Sequence, residues 1–121
     1  KTGQTPLMRA VLNNCYQCVA TLLNHGADLK KQTINNNSAL IFAAQGKADI
    51  LALILQHDLR LELRNNQSYT PLMISIQSEN LACIELLLKA GANPKRKNRN
   101  GNNAFDLAKN NSEILALLNQ Y

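Results

Sequence analysis

Aromatic side chains are scarce in this 121-residue sequence, making up only 4%, and tryptophan is absent. Large rings therefore cannot carry a core, and burial falls to Leu, Ile, Val and Ala, which suits thin, closely packed layers. Cysteine is confined to Cys15, Cys18 and Cys83. Three is too few, and odd, for a disulfide framework, so a reducing compartment is the expectation. No apolar run nears the roughly 20 residues that a membrane span needs, and no charged-then-apolar leader opens the sequence. The sequence starts at Lys1, inside a motif and without an initiating Met, and reads as a piece of a longer protein. Acidic residues number eight and are scattered, against 13 Lys and Arg, giving a formal net charge of +5. That balance favours acidic partner surfaces without declaring nucleic acid. There is no Ser/His/Asp set, no phosphate-cradling glycine loop and no convergence of carboxylates, so no enzyme activity, metal or cofactor is expected.

What is present is a period. Residues 5–8 and 70–73 both read TPLM, and Ser38-Ala39-Leu40-Ile41 and Asn103-Ala104-Phe105-Asp106 occupy the intervening and following places, at steps of 33, 32 and 33 residues. Downstream columns stay in register: Leu7, Leu40, Leu72 and Phe105, then Ala10, Ala43, Ser75 and Ala108. With one residue missing before Gly46, Cys18 aligns with Ile50 and Cys83, and Leu22 with Ile54 and Leu87; a further gap brings in Ile114 and Leu118. Cys18 is therefore expected to be buried.

Thr5, Ser38, Thr70 and Asn103 are good helix N-caps, because a short side-chain oxygen can accept an otherwise orphaned backbone N–H. Pro6 and Pro71 follow at the first helical position, where a missing N–H costs nothing. Apolar residues then recur at helical spacing (Leu7, Ala10, Val11), a turn falls near Asn14, and a second run covers Val19, Leu22 and Leu23. Gly26 and Gly91 close second helices, and residues 27–37 and 92–102 make extended turns. Helices of about nine residues are too short to persist alone in water, where roughly 12 to 15 are needed. Each unit must therefore bury its apolar face on the next, giving an all-α repeat solenoid over residues 1–121, with repeats near 1–33, 34–65, 66–98 and 99–121.

The strings GQTPLMRAV with LLNHGADL, and YTPLMISI with LLLKAGANP, resemble the ankyrin-repeat family, and the resemblance extends over essentially the whole chain. It implies stacked antiparallel helix pairs with projecting β-hairpin loops and a concave contact side. It implies a non-catalytic module that binds a protein or peptide partner. The family's His after the Leu is replaced by Met8, Ile41, Met73 and Asp106, so its Thr-to-His bond is expected to be missing in every unit. At the turn between paired helices Asn14, Gly46 and Glu79 align, and Glu79 should cost roughly 1 kcal/mol if it turns left-handed. Asp58 replaces a closing Gly.

Other candidate sites have plainer readings. The C-x-x-C pair Cys15 and Cys18 could be redox-active or half a zinc site, but its register favours packing, with Cys as a small hydrophobe. His25 and His57 sit near helix C-termini, where a cation is mildly favoured. The basic pairs Lys30-Lys31 and Lys95-Arg96 recur in register, broken by Glu62-Leu63, and Lys95 to Arg99 reads as a solvated loop rather than an import signal. Leu59 to Arg64 alternates like a half-buried strand.

Mapped by register, the expected partner surface has a first-helix column of Arg9, Phe42, Ile74 and Leu107, with helix-mates Leu12, Asn13, Gln45, Gln77, Ser78 and Asn110. Its loop tips are Thr2 and Gln4, then Ile34, Asn35 and Asn37, then Asn66, Gln67 and Tyr69, then Arg99, Asn100 and Asn102. An apolar centre with an amide-rich, partly basic rim suits a protein partner. The rival readings are a docking arm of a larger enzyme, a secreted bacterial effector suggested by the Asn- and Lys-rich AT-biased composition, and, ranked last, basic loops on nucleic acid. The expected setting is a monomer in cytoplasm or nucleus, or in host cytosol if an effector, with no membrane contact.

Overall fold

The computed structural model describes residues 3–57 and 61–121; Thr2, Asp58, Leu59 and Arg60 lie outside the described residues. Eight helices are described, in pairs: α1 (Pro6–Leu12) with α2 (Tyr16–Asn24), α3 (Ala39–Ala44) with α4 (Ala48–His57), α5 (Pro71–Gln77) with α6 (Leu81–Lys89), and α7 (Ala104–Leu107) with α8 (Ser112–Gln120). First helices pack in the series α1, α3, α5, α7 and second helices in the series α2, α4, α6, α8, so the pairs form two layers. Between them runs one apolar core, from Leu7 and Val11 through Ile41, Ile54, Leu72 and Leu87 to Ile114 and Leu118.

The caps explain where each unit starts. Thr5, Ser38, Thr70 and Asn103 each accept a backbone N–H from three residues on. The bond expected to be missing in every unit is replaced in two of them. Met8 Sδ accepts the Thr5 N–H at 3.4 Å, and Asp106 Oδ2 accepts the Asn103 N–H at 3.0 Å, so the first and last units close reciprocal capping boxes with different chemistry. Second helices carry their own caps: Cys15, Asn80 and Asn111 stand at the N-cap of α2, α6 and α8.

The turn between paired helices is left-handed where the alignment placed it, at Asn14 (φ 58°), Gly46 (φ 138°) and Glu79 (φ 54°). Glu79 is exposed, and in this conformation its Cβ crowds the backbone. Glu79→Gly is expected to raise stability by about 1 kcal/mol, read as a rise of about 4 °C in Tm by calorimetry.

Two sequence expectations are corrected. The fingers between units are tight turns rather than β-hairpins, with no strand assigned among the described residues; the described part of the Leu59–Arg64 segment is a turn and irregular chain. Leu61 is nonetheless buried in the core, and Glu62 accepts the Asn93 N–H at 3.1 Å while lying 3.5 Å from Arg96 Nε. The residue that interrupts the basic register thus ties one finger to the next.

Cys18 is the second correction: it is exposed, whereas its column-mates Ile50, Cys83 and Ile114 are buried. That column faces the preceding unit, as the contact of Cys83 Sγ with Ala43 O at 4.0 Å illustrates. Among the described helices, α2 packs against α1 and α4 and meets none on the side of that column.

Candidate functional site: the row of finger tips

Each finger is built on one polar side chain that holds its own backbone. Thr33 Oγ1 accepts the N–H groups of Asn35 and Asn37, Asn65 Oδ1 those of Gln67 and Tyr69, and Asn98 Oδ1 those of Asn100 and Asn102, at 3.0–3.2 Å except for the 2.9 Å bond from Asn100. A backbone bond closes each loop, from Thr33 N to Asn37 O, Asn65 N to Tyr69 O and Asn98 N to Asn102 O. The apex of these three fingers is left-handed, at Asn36, Ser68 and Gly101, and Gly3 holds the same conformation one repeat earlier. Gly tolerates that conformation without cost and Asn tolerates it better than most residues. The row Thr33, Asn65, Asn98 escaped the sequence reading, although its spacing of 32 and 33 residues and its acceptor side chains were the signal.

Neighbouring fingers are then stitched in series. Asn66 N donates to Asn35 O and Arg99 N to Gln67 O, both at 3.0 Å. Arg99 Nη2 also donates to Asn66 O, and Gln32 Nε2 spans from Asn36 O to Arg64 O. Shared hydrogen bonds therefore fix the tips relative to one another, which matters because an ordered surface loses less entropy on binding.

These bonds gather Asn35, Asn37, Asn65, Asn66, Gln67 and Arg99 around an open pocket of about 450 Å³. Five carboxamides offer donors and acceptors in mixed directions, and one guanidinium offers a fork that fits a carboxylate. Ile34, at the tip of the first of these fingers, is the most exposed large apolar side chain among the described residues, at 69%. Of the other residues mapped from sequence, Arg9, Leu12, Asn13, Gln45, Gln77, Ser78, Asn100, Asn102 and Asn110 are exposed, as is Gln4, while Tyr69 and Leu107 are half-buried. Phe42 and Ile74 are only 8% and 9% exposed and belong to the core wall beneath the first-helix surface. No group of three or more metal-ligating side chains occurs among the described residues, and no described helix is long and apolar enough to cross a membrane.

A family model described as ankyrin repeats (3 copies) matches residues 7–98 and 62–121. The chain is 31% identical over 110 residues to the nuclear factor NF-kappa-B p105 subunit of Gallus gallus, a match covering 87% of this chain and 11% of that protein. It is 35% identical over 88 residues to inversin of Mus musculus, covering 72% of this chain and 8% of that protein. It is 33% identical over 103 residues to the transient receptor potential cation channel subfamily A member 1 of Homo sapiens, covering 82% and 9%. The chain thus spans about a tenth of the length of these relatives.

Proposed function

The chain belongs to the ankyrin-repeat family, whose repeats are generally non-catalytic protein–protein interaction modules, and from that premise we propose that it holds a protein or peptide partner across the row of finger tips. The observation that carries this reading is the pocket shared by three fingers, lined by amides and Arg99, with Ile34 exposed on the finger that supplies Asn35 and Asn37. A strand or loop of a partner crossing the row would meet carboxamides able to pair with its backbone, an apolar anchor and a cation suited to an Asp, Glu or terminal carboxylate. The exposed first-helix residues Arg9, Asn13, Gln45 and Gln77 extend the surface. Phe42 and Ile74 support this surface from below, and the contact energy falls to the exposed groups around them.

Photo-crosslinking tests the placement. A benzophenone side chain at position 34 or 67 is expected to trap the partner in a cell lysate, and one at position 82, on the second-helix layer, is expected to trap none. Equal trapping from all three positions, or trapping only from position 82, would move the site off the tips.

A further inference from the structure

The net charge of the chain lies between its helix pairs. Residues 27–37, 59–69 and 92–102, which lead from one pair to the next, hold eight Lys and Arg against Asp28 and Glu62, whereas the rest of the chain holds five Lys and Arg against six acidic residues. Little of this charge is neutralised within the fold. Arg96 Nε lies 3.5 Å from Glu62, but Lys30, Lys31, Arg64, Lys95 and Lys97 have no carboxylate partner among the described residues. Three cations stand beside the residues that brace the tips: Arg64 directly before Asn65, Lys97 directly before Asn98 and Arg99 directly after it, all exposed. Gln32 Nε2 donates to Arg64 O and Arg99 N to Gln67 O, so these cations ride on loops that are bonded to one another. Like charges held on neighbouring loops repel, and a partner that brings carboxylates relieves that repulsion as well as gaining attraction.

We propose that the segment held across the finger tips is acidic and extended, a run of Asp or Glu whose carboxylates meet Arg99 at the pocket and Arg64 and Lys97 on the adjoining loops. This rests on the finger-tip reading above and adds to it the chemistry of the partner. Arg99 Nη2 donates to Asn66 O, which orients the guanidinium among the pocket residues, where its fork suits a carboxylate. Two observations favour a peptide over a nucleic acid. The pocket is lined by five carboxamides, which both donate to and accept from a peptide backbone. Tyr69 is the one aromatic residue in the three segments and is half-buried, so the cations are not interleaved with the stacking platforms that hold bases.

The test displays random peptides against the whole chain at low salt and measures the winners, fluorescein-labelled, by anisotropy. Winners are expected to carry a net charge of about −3 or below and to bind about tenfold more weakly at about 500 mM than at about 50 mM NaCl. The Arg64→Glu, Lys97→Glu variant is expected to bind them about tenfold more weakly, and the Arg64→Gln, Lys97→Gln variant about threefold, which separates charge from shape. Circular dichroism checks that both variants fold, and the salt dependence of the unmodified chain needs neither. Neutral or basic winners that lose binding on an Ile34→Ala, Gln67→Ala, Arg99→Ala variant overturn the acidic partner and leave the tips as the contact surface. Acidic winners indifferent to all three variants, or no winners, overturn the finger-tip reading and this proposal with it. A labelled oligothymidylate of equal formal charge is expected to bind at least about tenfold more weakly than the winners, and equal binding overturns the choice of a protein segment.

Discussion

Leu87→Ala is expected to lower the free energy of unfolding by about 3 kcal/mol, near the middle of the range for burying a Leu fully and then deleting it. Leu87 is 0% exposed and sits on α6, which contacts α4 on one side, α8 on the other and α5 across the layers. The loss combines the transfer of the missing methyl groups with a cavity that rigid neighbours close only in part. Because the main contacts between units join neighbours in the stack, damage in the third unit weakens its junctions with both the second and the fourth. Leu23→Ala, the corresponding kind of deletion on α2 in the first unit, touches fewer such junctions and should cost less, about 2 kcal/mol. Urea denaturation followed by circular dichroism checks both. Equal and small losses, below about 1 kcal/mol, would mean that the layers are not packed as described.

Asn98→Ala is expected to cost about 2–3 kcal/mol and to loosen the finger that presents Arg99. Asn98 is 6% exposed, and its Oδ1 serves two backbone donors, Asn100 N and Asn102 N, which Ala leaves with no side-chain acceptor. Its own Nδ2 has no hydrogen-bond partner among the described residues, so the loss is smaller than for a fully satisfied amide. Hydrogen exchange at the amides of residues 99, 100 and 102 reports the effect directly. All three are expected to exchange at least tenfold faster in the variant, since a 1.4 kcal/mol loss of local stability is already tenfold. Unchanged protection would show that the backbone bond from Asn98 N to Asn102 O holds the finger alone.

Both predictions rest on features of unequal visibility in the sequence. The first-helix starts could be read directly, because Thr5, Ser38, Thr70 and Asn103 announce themselves by a local rule, one side chain capping one helix. The turn at Asn14, Gly46 and Glu79 came from the family resemblance, whose pattern carries Gly there, and all three are left-handed. Burial was harder. Cys18 occupies the same column as Cys83, yet exposure at that column is decided by the neighbouring unit, a non-local fact that spacing does not carry. Register put Phe42 and Ile74 in the contact column; α3 and α5 are only six and seven residues long and packed between neighbours on both sides, so little of either side chain remains open. The missing His of the family pattern suggested a lost bond in every unit, and only atomic placement shows a thioether and a carboxylate accepting in its stead. For the site, sequence register nominated Asn35, Asn37, Asn66, Gln67 and Arg99 as tip residues, while their convergence on one pocket depends on bonds between fingers that no single repeat encodes.

A peptide-display selection against the whole chain tests most directly whether the finger tips are the contact surface. Peptides enriched on the unmodified chain are expected to bind the Ile34→Ala, Gln67→Ala, Arg99→Ala triple variant at least about thirtyfold more weakly, the sum of an apolar anchor and a charge-assisted bond at roughly 1 kcal/mol or more each. The same peptides should bind a Leu81→Ala, Leu117→Ala variant on the second-helix layer unchanged. Undiminished binding to the tip variant, with loss on the second-helix variant, would contradict the account.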